Sequence, residues 1–344
     1  MSQSVKVAII GANGYTGEEL CRLLLAHPRV EIVALTSRQH AGKPLAAVLP
    51  RCDRKNGPAI SFIEPKLEAL LASGAELFFL SLPHGVASEF AVPLIRAGRK
   101  VLDLSADFRL RDAAVYQEFY DHAHPAPDLL AQAVYGLPEV YRKEIATASL
   151  VACPGCYPTS ILLPLIPLLK KGLLDPKTIT VSSASGVSGA GRKADETLLF
   201  AECNESFRAY GVPKHRHLSE IEQELSLAAG SAVRITFVPH LAPMTRGIHT
   251  FIAAEPASGA TADTIQSTLR DFYAAEPFVR VIDRMPNTQY VTGTNVCEIT
   301  SRFDARTSRV LLFSAEDNLI KGAGGQGVQC LNLVCGFPET EGLS

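Results

Sequence analysis

The sequence predicts an α/β protein of two domains, in which a doubly wound, mainly parallel sheet is followed by an α+β domain. In the first part of the chain, short and continuously apolar segments such as Val5–Ile10 alternate with helical stretches. This pattern is typical of parallel strands that are buried on both faces. After about residue 155 the strand candidates are separated by longer connections. A chain of 344 residues is long enough for two hydrophobic cores.

Each domain has its own predicted elements. The first has strands at 5–10, 31–35, 77–82 and 101–104, with helices at 18–26 and 86–97. The second has strands at 179–183, 234–238, 248–253 and 295–302, a helix from Pro158 through the apolar run 161–169, and a helix at 218–227. The glycine-rich, then apolar, segment from Asn318 onward is interpreted as a helix returning to the first domain. The predicted domains are therefore 1–154 with 318–344, and 155–317. A charged loop at 51–58 is expected to be exposed.

Composition excludes several classes of protein. A formal charge of −2 gives no electrostatic reason to expect nucleic acid or an anionic membrane as a partner. Proline and charged residues interrupt the longest apolar stretches, so no transmembrane segment is predicted. Residues 1–4 lead directly into a strand, so no targeting peptide is apparent. The eight cysteines are scattered, and we therefore expect them to be reduced and the protein to be cytoplasmic.

A glycine-rich turn, GANGYTG, follows the first strand and opens the first helix. Its glycines allow a tight turn, a close approach of backbone to a pyrophosphate, and close packing of helix on strand. The spacing G-x-x-G-x-x-G is a variant of the usual fingerprint, and a plain strand–helix turn is the alternative. The context favours a dinucleotide site. The predicted cofactor-binding residues of this turn are Gly11, Asn13, Gly14, Tyr15, Thr16 and Gly17.

The end of the second strand indicates which nucleotide binds. Proteins that bind NAD usually carry an acidic residue here for the ribose 2′-hydroxyl, but this strand ends in Leu-Thr-Ser-Arg-Gln-His. Ser37 and Arg38, with the help of Lys43, are instead suited to a 2′-phosphate. The sequence therefore predicts a preference for NADP, and an ordinary surface arginine is the alternative.

Cys156 is the predicted nucleophile. It lies in Cys153-Pro-Gly-Cys156-Tyr-Pro158, just before a helix. The positive end of a helix dipole favours the nucleophilic thiolate, and nearby main-chain N–H groups can stabilise an oxyanion. Two other readings are a C-x-x-C redox pair and a buried structural cysteine, and the second suits Cys153. No second cysteine pair completes a zinc site, so no metal is predicted.

A thiol nucleophile needs a group that moves protons. Lys214-His215-Arg216-His217 precedes the predicted helix at 218–227. His217 is the candidate acid/base and His215 the alternative, although such a cluster is often only a solvated turn. Arg109 and Arg246 carry planar guanidinium groups suited to a carboxylate or phosphate, or to structural ion pairs.

Two small-residue segments suit the approach of a flat ring or an anion to the backbone. They are the loop 183–193, after a predicted strand, and the glycine-rich segment 321–326. Flexible connectors are the alternative reading. The predicted cofactor-binding residues here are Ser185, Gly186, Asn318, Gly322 and Gln326.

In combination, these motifs resemble the N-acetyl-γ-glutamyl-phosphate reductase family of arginine biosynthesis. The resemblance runs nearly end to end, through GANGYTGEEL, LPHG, LDLSADFRL, YGLPE, CPGCYPT, SGVSGAGRK, KHRHLSEIEQEL, VPHLAPMTRGI, GTNVCEI and DNLIKGAGGQGVQCLNL. It implies a Rossmann-like NADP-binding domain and a catalytic and dimerisation α+β domain of the semialdehyde dehydrogenase type.

The resemblance also implies a reaction. Cys156 attacks the acyl phosphate, phosphate leaves, and the thioester is reduced at the expense of NADPH, with His217 as proton donor. Arg109, His215 and Arg246 are then the candidate substrate-binding residues. A homodimer or homotetramer in the cytoplasm is expected. The alternatives are a reductase of carrier-bound aminoadipyl phosphate in lysine biosynthesis, whose cysteine motif differs, and a non-catalytic NADP-binding redox sensor.

Overall fold

The computed structural model describes residues 4–54 and 59–343, and in it the chain forms two compact units. Unit 1 contains the described residues up to Gln117, together with His122–Pro154 and the residues from Ala323 onward. Unit 2 contains Glu118–Asp121 and Gly155–Gly322. Residues 1–3, from which the absence of a targeting peptide was inferred, lie outside the described residues. So do residues 55–58 of the charged loop predicted at 51–58.

Unit 1 is built on a parallel sheet of seven strands, in the order β3-β2-β1-β4-β5-β7-β6. The strands are β1 (Val5–Ile10), β2 (Val30–Thr36), β3 (Phe62–Ile63), β4 (Leu77–Leu80), β5 (Lys100–Asp103), β6 (Val134–Tyr135) and β7 (Leu150–Ala152). Every residue of β4 is buried, as expected for a parallel strand covered on both faces.

Helices connect these strands. They are α1 (Tyr15–Ala26), α2 (Leu45–Val48), α3 (Leu67–Ala72), α4 (Ala87–Arg96), α5 (Ala113–Tyr120), α6 (Pro127–Leu130) and α7 (Pro138–Thr147). The apolar face of α4, with Phe90, Ala91 and Leu94, packs into a core that also contains Phe78 and Val101 from the sheet. This burial is the main source of stability for an amphipathic helix of this length.

Unit 2 contains a mixed sheet of seven strands, in the order β12-β13-β14-β11-β8-β10-β9. The strands are β8 (Thr180–Ser185), β9 (Arg208–Ala209), β10 (Thr236–Leu241), β11 (Ile248–Ala254), β12 (Val279–Val281), β13 (Cys297–Asp304) and β14 (Arg309–Glu316). Burial alternates strictly along β11, so the sheet has one buried face and one partly exposed face.

The helices of unit 2 are α8 (Cys156–Lys170), α9 (Phe200–Cys203), α10 (His217–Ala229), α11 (Ala262–Tyr273) and α12 (Thr288–Val291), and α13 (Gly325–Cys335) belongs to unit 1. Helix α8 is buried from Tyr157 to Leu169, which fixes its first turn rigidly. Short 3₁₀ helices lie at Pro50–Cys52, Pro176–Thr178, Val187–Ala190 and Glu196–Leu198, and a π-helix lies at Ile320–Gly324. Among the described residues, none of the helices is both long and apolar enough to cross a membrane.

The predicted fold class is confirmed. The predicted elements are present with shifted ends, and six strands were not predicted: β3, β6, β7, β9, β12 and β14. Helix α1 begins at Tyr15 and α8 at Cys156, earlier than predicted, because Gly14 and Gly155 serve as their N-caps. Residues 318–322, assigned to the first domain from the sequence, pack with unit 2. The side chain of Asn318 accepts a hydrogen bond there from the main-chain N–H of Gly247, at 2.8 Å.

Candidate active site

The glycine turn of unit 1 has the geometry of a phosphate-binding turn. Gly11 adopts a φ of +85°, and an added Cβ would lie 2.3 Å from the carbonyl oxygen of Ser81. A Cβ on Gly17 would lie 2.7 Å from the backbone of Ala12, whereas one on Gly14 would meet nothing closer than 3.9 Å. Helix α1 begins at Tyr15 without a side-chain cap. An open backbone beside an uncapped helix N-terminus fits a dinucleotide phosphate.

The sheet order places this turn at the point where a dinucleotide is expected to bind. Strand β1 lies between β2 and β4, so the chain changes direction along the sheet there. The side chain of Ser37 is buried and accepts a hydrogen bond from the N–H of His40, at 3.2 Å. Arg38 is exposed at the end of β2, as a contact to a 2′-phosphate requires.

Cys156 occupies the first turn of the 15-residue helix α8 in unit 2, and its side chain is half-buried. The main-chain N–H of Gly155, directly before it, donates to Glu220 Oε1 at 2.9 Å. Glu220 is 1% exposed and belongs to α10. This hydrogen bond joins the helix that carries Cys156 to the helix that begins with His217.

A cavity of about 430 Å³ lies beside Cys156 within unit 2. Its wall includes five predicted site residues: Cys156, Ser185, Gly186, His215 and His217. Three cationic side chains, Lys193, Arg208 and Arg216, and the carboxylate of Asp195 complete part of the wall, and Lys193 forms an ion pair with Asp195 at 3.0 Å. The first turns of α8 and α10 both contribute to the wall, so two helix N-termini and the two arginines favour an anionic ligand.

The two histidines of the KHRH segment have different environments. The Nδ1 atom of His215 accepts a hydrogen bond from the main-chain N–H of His217 at 3.1 Å, so its proton is carried by Nε2. Burial, with a smaller contribution from the charge of Arg216, lowers the pKa of His215 to about 4. His215 is therefore a neutral group that holds the start of α10. His217 also lines the cavity, and its role as the acid/base stays a prediction.

Aromatic side chains hold the histidines in place. The ring of Tyr157 lies 5.6 Å from that of His215 and 6.0 Å from that of His217, both edge to face. The hydroxyl of Tyr210 donates to the Tyr157 hydroxyl at 3.0 Å, and the Tyr157 hydroxyl donates to the carbonyl oxygen of His240 at 3.2 Å. Burial raises the pKa of Tyr157 and raises that of Tyr210 to about 12, so both phenols keep their protons.

Gly322 of the π-helix lies against the nucleophile. An added Cβ would be 2.8 Å from Cys156 Cβ and 2.9 Å from Glu316 Oε1. π-Helical turns are frequent at functional sites. This one is fixed at its start by Asp317, whose Oδ1 accepts from the N–H groups of Leu319 and Ile320 at 2.8 and 3.2 Å.

Asn318 and Arg246 have partners within unit 2. The Asn318 amide donates to Ser188 Oγ at 3.0 Å, which ties it to the loop that follows Gly186. Arg246 is 15% exposed and forms an ion pair with the buried Asp317 at 3.1 Å. These contacts match the structural alternative for Arg246, and its contact with substrate stays a prediction.

Arg109 and Gln326 belong to unit 1 and are both buried. Arg109 donates from Nε to the carbonyl oxygen of Cys153 at 2.8 Å and from Nη2 to that of Leu104 at 3.0 Å. The guanidinium thus supports the ends of two segments of the chain. Substrate binding by Arg109 and cofactor binding by Gln326 stay predictions.

Comparison with known proteins gives the family. A model of the semialdehyde dehydrogenase NAD-binding domain matches residues 6–148, and a model of the semialdehyde dehydrogenase dimerisation domain matches residues 156–318. The N-acetyl-gamma-glutamyl-phosphate reductase of Akkermansia muciniphila is 56% identical over 343 residues, which cover 99% of each chain. The proteins of that name from Moorella thermoacetica and Desulfotalea psychrophila are each 50% identical over 98% of each chain. This chain belongs to the N-acetyl-γ-glutamyl-phosphate reductase family.

Solved structures extend the likeness at the level of fold. Aspartate semialdehyde dehydrogenase II of Vibrio cholerae superposes with a TM-score of 0.74 at 18% identity, covering 97% of this chain and 99% of its own. The enzyme of Candida albicans, solved with NADP, gives 0.73 at 17% identity over the same shares. The reductase family therefore has the semialdehyde dehydrogenase fold, as the sequence predicts.

The sequence did not single out four residues of this reductase site: Glu220, Tyr157, Tyr210 and Arg208. Tyr157 lies inside the cysteine motif. Glu220 follows His217 by one helical turn, and this spacing places the two residues on the same face of the helix, which could have been inferred from the sequence. Arg208 and Tyr210 enter the cavity wall from the short edge strand β9 and the residue after it. No motif marks that segment.

Proposed function

We propose that this chain reduces N-acetyl-γ-glutamyl phosphate to N-acetylglutamate 5-semialdehyde, with NADPH as the reductant and phosphate as a product, in arginine biosynthesis. The observation that carries the proposal is the cavity in which Cys156 and His217 line one wall at the N-termini of α8 and α10. The relatives that cover nearly the whole chain have the corresponding name. The lysine-pathway reductase and the redox sensor are not favoured.

The chemistry begins at Cys156. Its thiolate attacks the carbonyl carbon of the acyl phosphate, the carbon–oxygen bond to the phosphoryl group breaks, and phosphate leaves with the bonding electrons. A thioester remains on Cys156. The N–H groups of the first turn of α8 are suited to stabilise the oxyanion of the tetrahedral intermediate.

The second stage releases the aldehyde. The turn from Gly11 to Gly17, with Ser37 and Arg38, would hold NADPH, and Ser185, Gly186, Asn318, Gly322 and Gln326 are the further candidates near the nicotinamide. Bound NADPH supplies the hydride that reduces the thioester. His217 donates a proton to the developing oxyanion, which gives a neutral thiohemiacetal. His217 then takes that hydroxyl proton back, the carbon–sulfur bond breaks, the aldehyde is released, and Cys156 leaves as the thiolate with which it began.

The cavity suggests which groups hold the substrate. Arg216 and Arg208 line it, and we propose that they bind the phosphate or carboxylate groups alongside the earlier candidates Arg109, His215 and Arg246. We also propose a homodimer or homotetramer, because the model matched by residues 156–318 is described as a dimerisation domain. We also propose a cytoplasmic location, with the eight cysteines, all in described residues, forming no disulfide.

The test runs the reaction backwards because an acyl phosphate is labile. Purified protein is incubated with N-acetylglutamate semialdehyde, NADP⁺ and phosphate, and the absorbance of NADPH is followed with and without phosphate. Phosphate-dependent formation of NADPH is expected. If the carrier-bound aminoadipate semialdehyde alone reacted, the lysine-pathway alternative would replace this function. Tight binding of NADPH without turnover of either substrate would favour the sensor.

A further inference from the structure

A buried acidic group in unit 1 holds the loop that follows β4. That loop, residues 81–86, begins against the glycine turn: the carbonyl oxygen of Ser81 lies where a Cβ of Gly11 would be, at 2.3 Å, and Leu82 Cδ2 lies at 2.9 Å. Because β4 neighbours β1 in the sheet, the loop leaves the sheet at the point where the dinucleotide is expected. Its course therefore determines the wall of the cofactor site.

Asp107 reaches this loop from the end of the neighbouring strand β5. It is fully buried, with 0% exposure. Its Oδ1 accepts a hydrogen bond from the N–H of Gly85 at 2.6 Å, and its Oδ2 accepts one from the N–H of Ser88 at 3.2 Å. The hydroxyl of Tyr116 also donates to Oδ1, at 3.3 Å. One carboxylate thus binds both the end of the loop and the first turn of α4.

The surroundings of the carboxylate leave it little freedom. The main-chain N–H of Asp107 donates to Ser105 Oγ at 3.2 Å, and His124 Nε2 lies 2.7 Å from its carbonyl oxygen. Gly85 adopts a φ of +80°, and a Cβ there would lie 3.2 Å from His122 Nε2. A carboxylate whose own main-chain N–H and carbonyl groups are both hydrogen-bonded is well suited to hold a backbone segment in one conformation.

We infer that Asp107 is a positioning residue for NADPH: its carboxylate holds the loop after β4 in the conformation that the cofactor requires, without contacting the cofactor itself. This inference rests on the proposed function only in taking NADPH as the cofactor. It gives a role to the SADF segment, which the proposed mechanism does not use. It predicts that loss of one carboxylate oxygen weakens binding of NADPH selectively.

The test compares two isosteric variants. Asp107→Asn places an amide NH₂ against the N–H of either Gly85 or Ser88, so at least one hydrogen bond is lost. Asp103→Asn is the control for loss of a buried carboxylate, because Asp103 is equally buried and its oxygens accept from the N–H and Oγ of Ser105 rather than from the loop. Ser105 Oγ also accepts the N–H of Asp107, so this control includes any indirect effect through the Asp107 main chain. Burial and the charge of Asp107 raise the pKa of Asp103 to about 7, so the charged form of the carboxyl that the amide replaces is disfavoured.

The readouts separate positioning from folding. The Kd of NADPH, measured by fluorescence titration, is expected to rise at least about tenfold in Asp107→Asn and to stay within about twofold in Asp103→Asn. The kcat at saturating cofactor and the KM for the semialdehyde should change less than about threefold in both variants. A folded Asp107→Asn protein with an unchanged Kd, or an equal rise in Asp103→Asn, would overturn the inference.

If Asp107→Asn does not fold, a milder variant tests whether the Asp107 carboxylate positions NADPH. Tyr116→Phe keeps the ring and removes one donor to the carboxylate, together with the contact of that hydroxyl with His122 Nε2 at 3.2 Å. The Kd of NADPH should rise about two- to fivefold, and an unchanged Kd would contradict the inference. The titration needs no turnover. If the protein bound NADPH but did not oxidise N-acetylglutamate semialdehyde, the proposed function would be wrong, and the Kd values would still test the role of Asp107.

Discussion

The nucleophilic role predicted for Cys156 rests on its place in the chain. The first turn of a buried, 15-residue helix gives it a fixed position and the positive end of a dipole. Its sequence neighbour Cys153 is 1% exposed and belongs to unit 1. The same residue type, three positions apart, thus has two different environments.

The first prediction concerns this nucleophile. Cys156→Ser is expected to lower kcat more than about a thousandfold, because a serine hydroxyl in this position is a far weaker nucleophile. The Kd of NADPH should not change, since the glycine turn belongs to unit 1 and is untouched. Steady-state kinetics and fluorescence titration measure the two quantities, with Cys153→Ser as the control. Turnover that survives in Cys156→Ser would exclude the covalent route.

The second prediction separates the two histidines. His217→Asn is expected to lower kcat by about a hundredfold or more with little change in KM, because proton transfer is lost. His215→Asn keeps an oxygen able to accept the His217 N–H, so kcat should fall less than about tenfold. Kinetics in the direction of NADPH formation measure both. A larger loss in His215→Asn would exchange the two roles.

The third prediction concerns acid and stability. Unfolded His215 binds a proton near pH 6.5, but the folded side chain does so only near 4, because it is buried beside Arg216. Between these values the unfolded state binds more protons. The contribution of His215 is therefore complete above pH 6.5 and is lost as the pH falls towards 4.

The measurement is the melting temperature of wild type and His215→Asn between pH 7.5 and 4.5. The other histidines with lowered pKa values, His27, His124 and His249, are present in both proteins and cancel. The advantage of wild type over the variant should shrink towards acid pH. A difference that stays constant across the range would show that His215 does not titrate as described.

At the scale of elements, the site depends on how α8 and α10 are joined. Both helices begin at the cavity. Glu220 of α10 accepts a hydrogen bond from the main-chain N–H of Gly155, the residue before Cys156. A hydrogen bond to a buried charged acceptor contributes about 1.5–3 kcal/mol. Its loss would allow the two helix N-termini to separate.

The fourth prediction tests this joint. Glu220→Ala is expected to lower kcat about tenfold to a hundredfold, because misplacement of Cys156 relative to His217 slows the chemical step. Glu220→Gln retains an acceptor for the Gly155 N–H, so it should recover most of the activity. Both variants are compared by kcat and by rate of thiol alkylation. Equal activity in all three proteins would show that the joint has no catalytic role.

The sequence predicts elements well where the signal is local. The run Val5–Ile10 and the glycine turn identify β1 and the start of α1 because both patterns are contained within a few residues. Cys156 and His217, which both line the cavity, were proposed as site residues for the same reason. By contrast, the role of Asp107 depends on its contact with Gly85, and that of Tyr210 on its contact with Tyr157. Contacts between residues that are distant in sequence produce no periodic pattern in the sequence, so they could not be predicted from it.

At the scale of the whole chain, exposed apolar side chains are distributed unevenly. Among the described residues, every large hydrophobic side chain identified as exposed belongs to unit 2: Leu199, Phe200, Phe207, Tyr210, Val212, Leu227, Met285, Tyr290 and Phe303. Five of them occur between residues 199 and 212, in the segment that also supplies Arg208 and Tyr210 to the cavity. Unit 2 is also the part that matches the dimerisation-domain model.

The fifth prediction follows from this distribution. A phenylalanine that is 82% exposed, such as Phe200, is costly for a monomer to leave in water, and its burial against a second copy stabilises an oligomer. Light scattering after gel filtration should therefore give two or four times the chain mass of 36.9 kDa. Phe200→Asp should shift the protein towards 36.9 kDa, whereas Ala46→Asp, at an exposed position of unit 1, should not. Since Arg208 and Tyr210 of the same segment line the cavity, loss of the oligomer should also lower kcat. A wild-type monomer with full activity would contradict both the expected oligomer and its expected contribution to kcat.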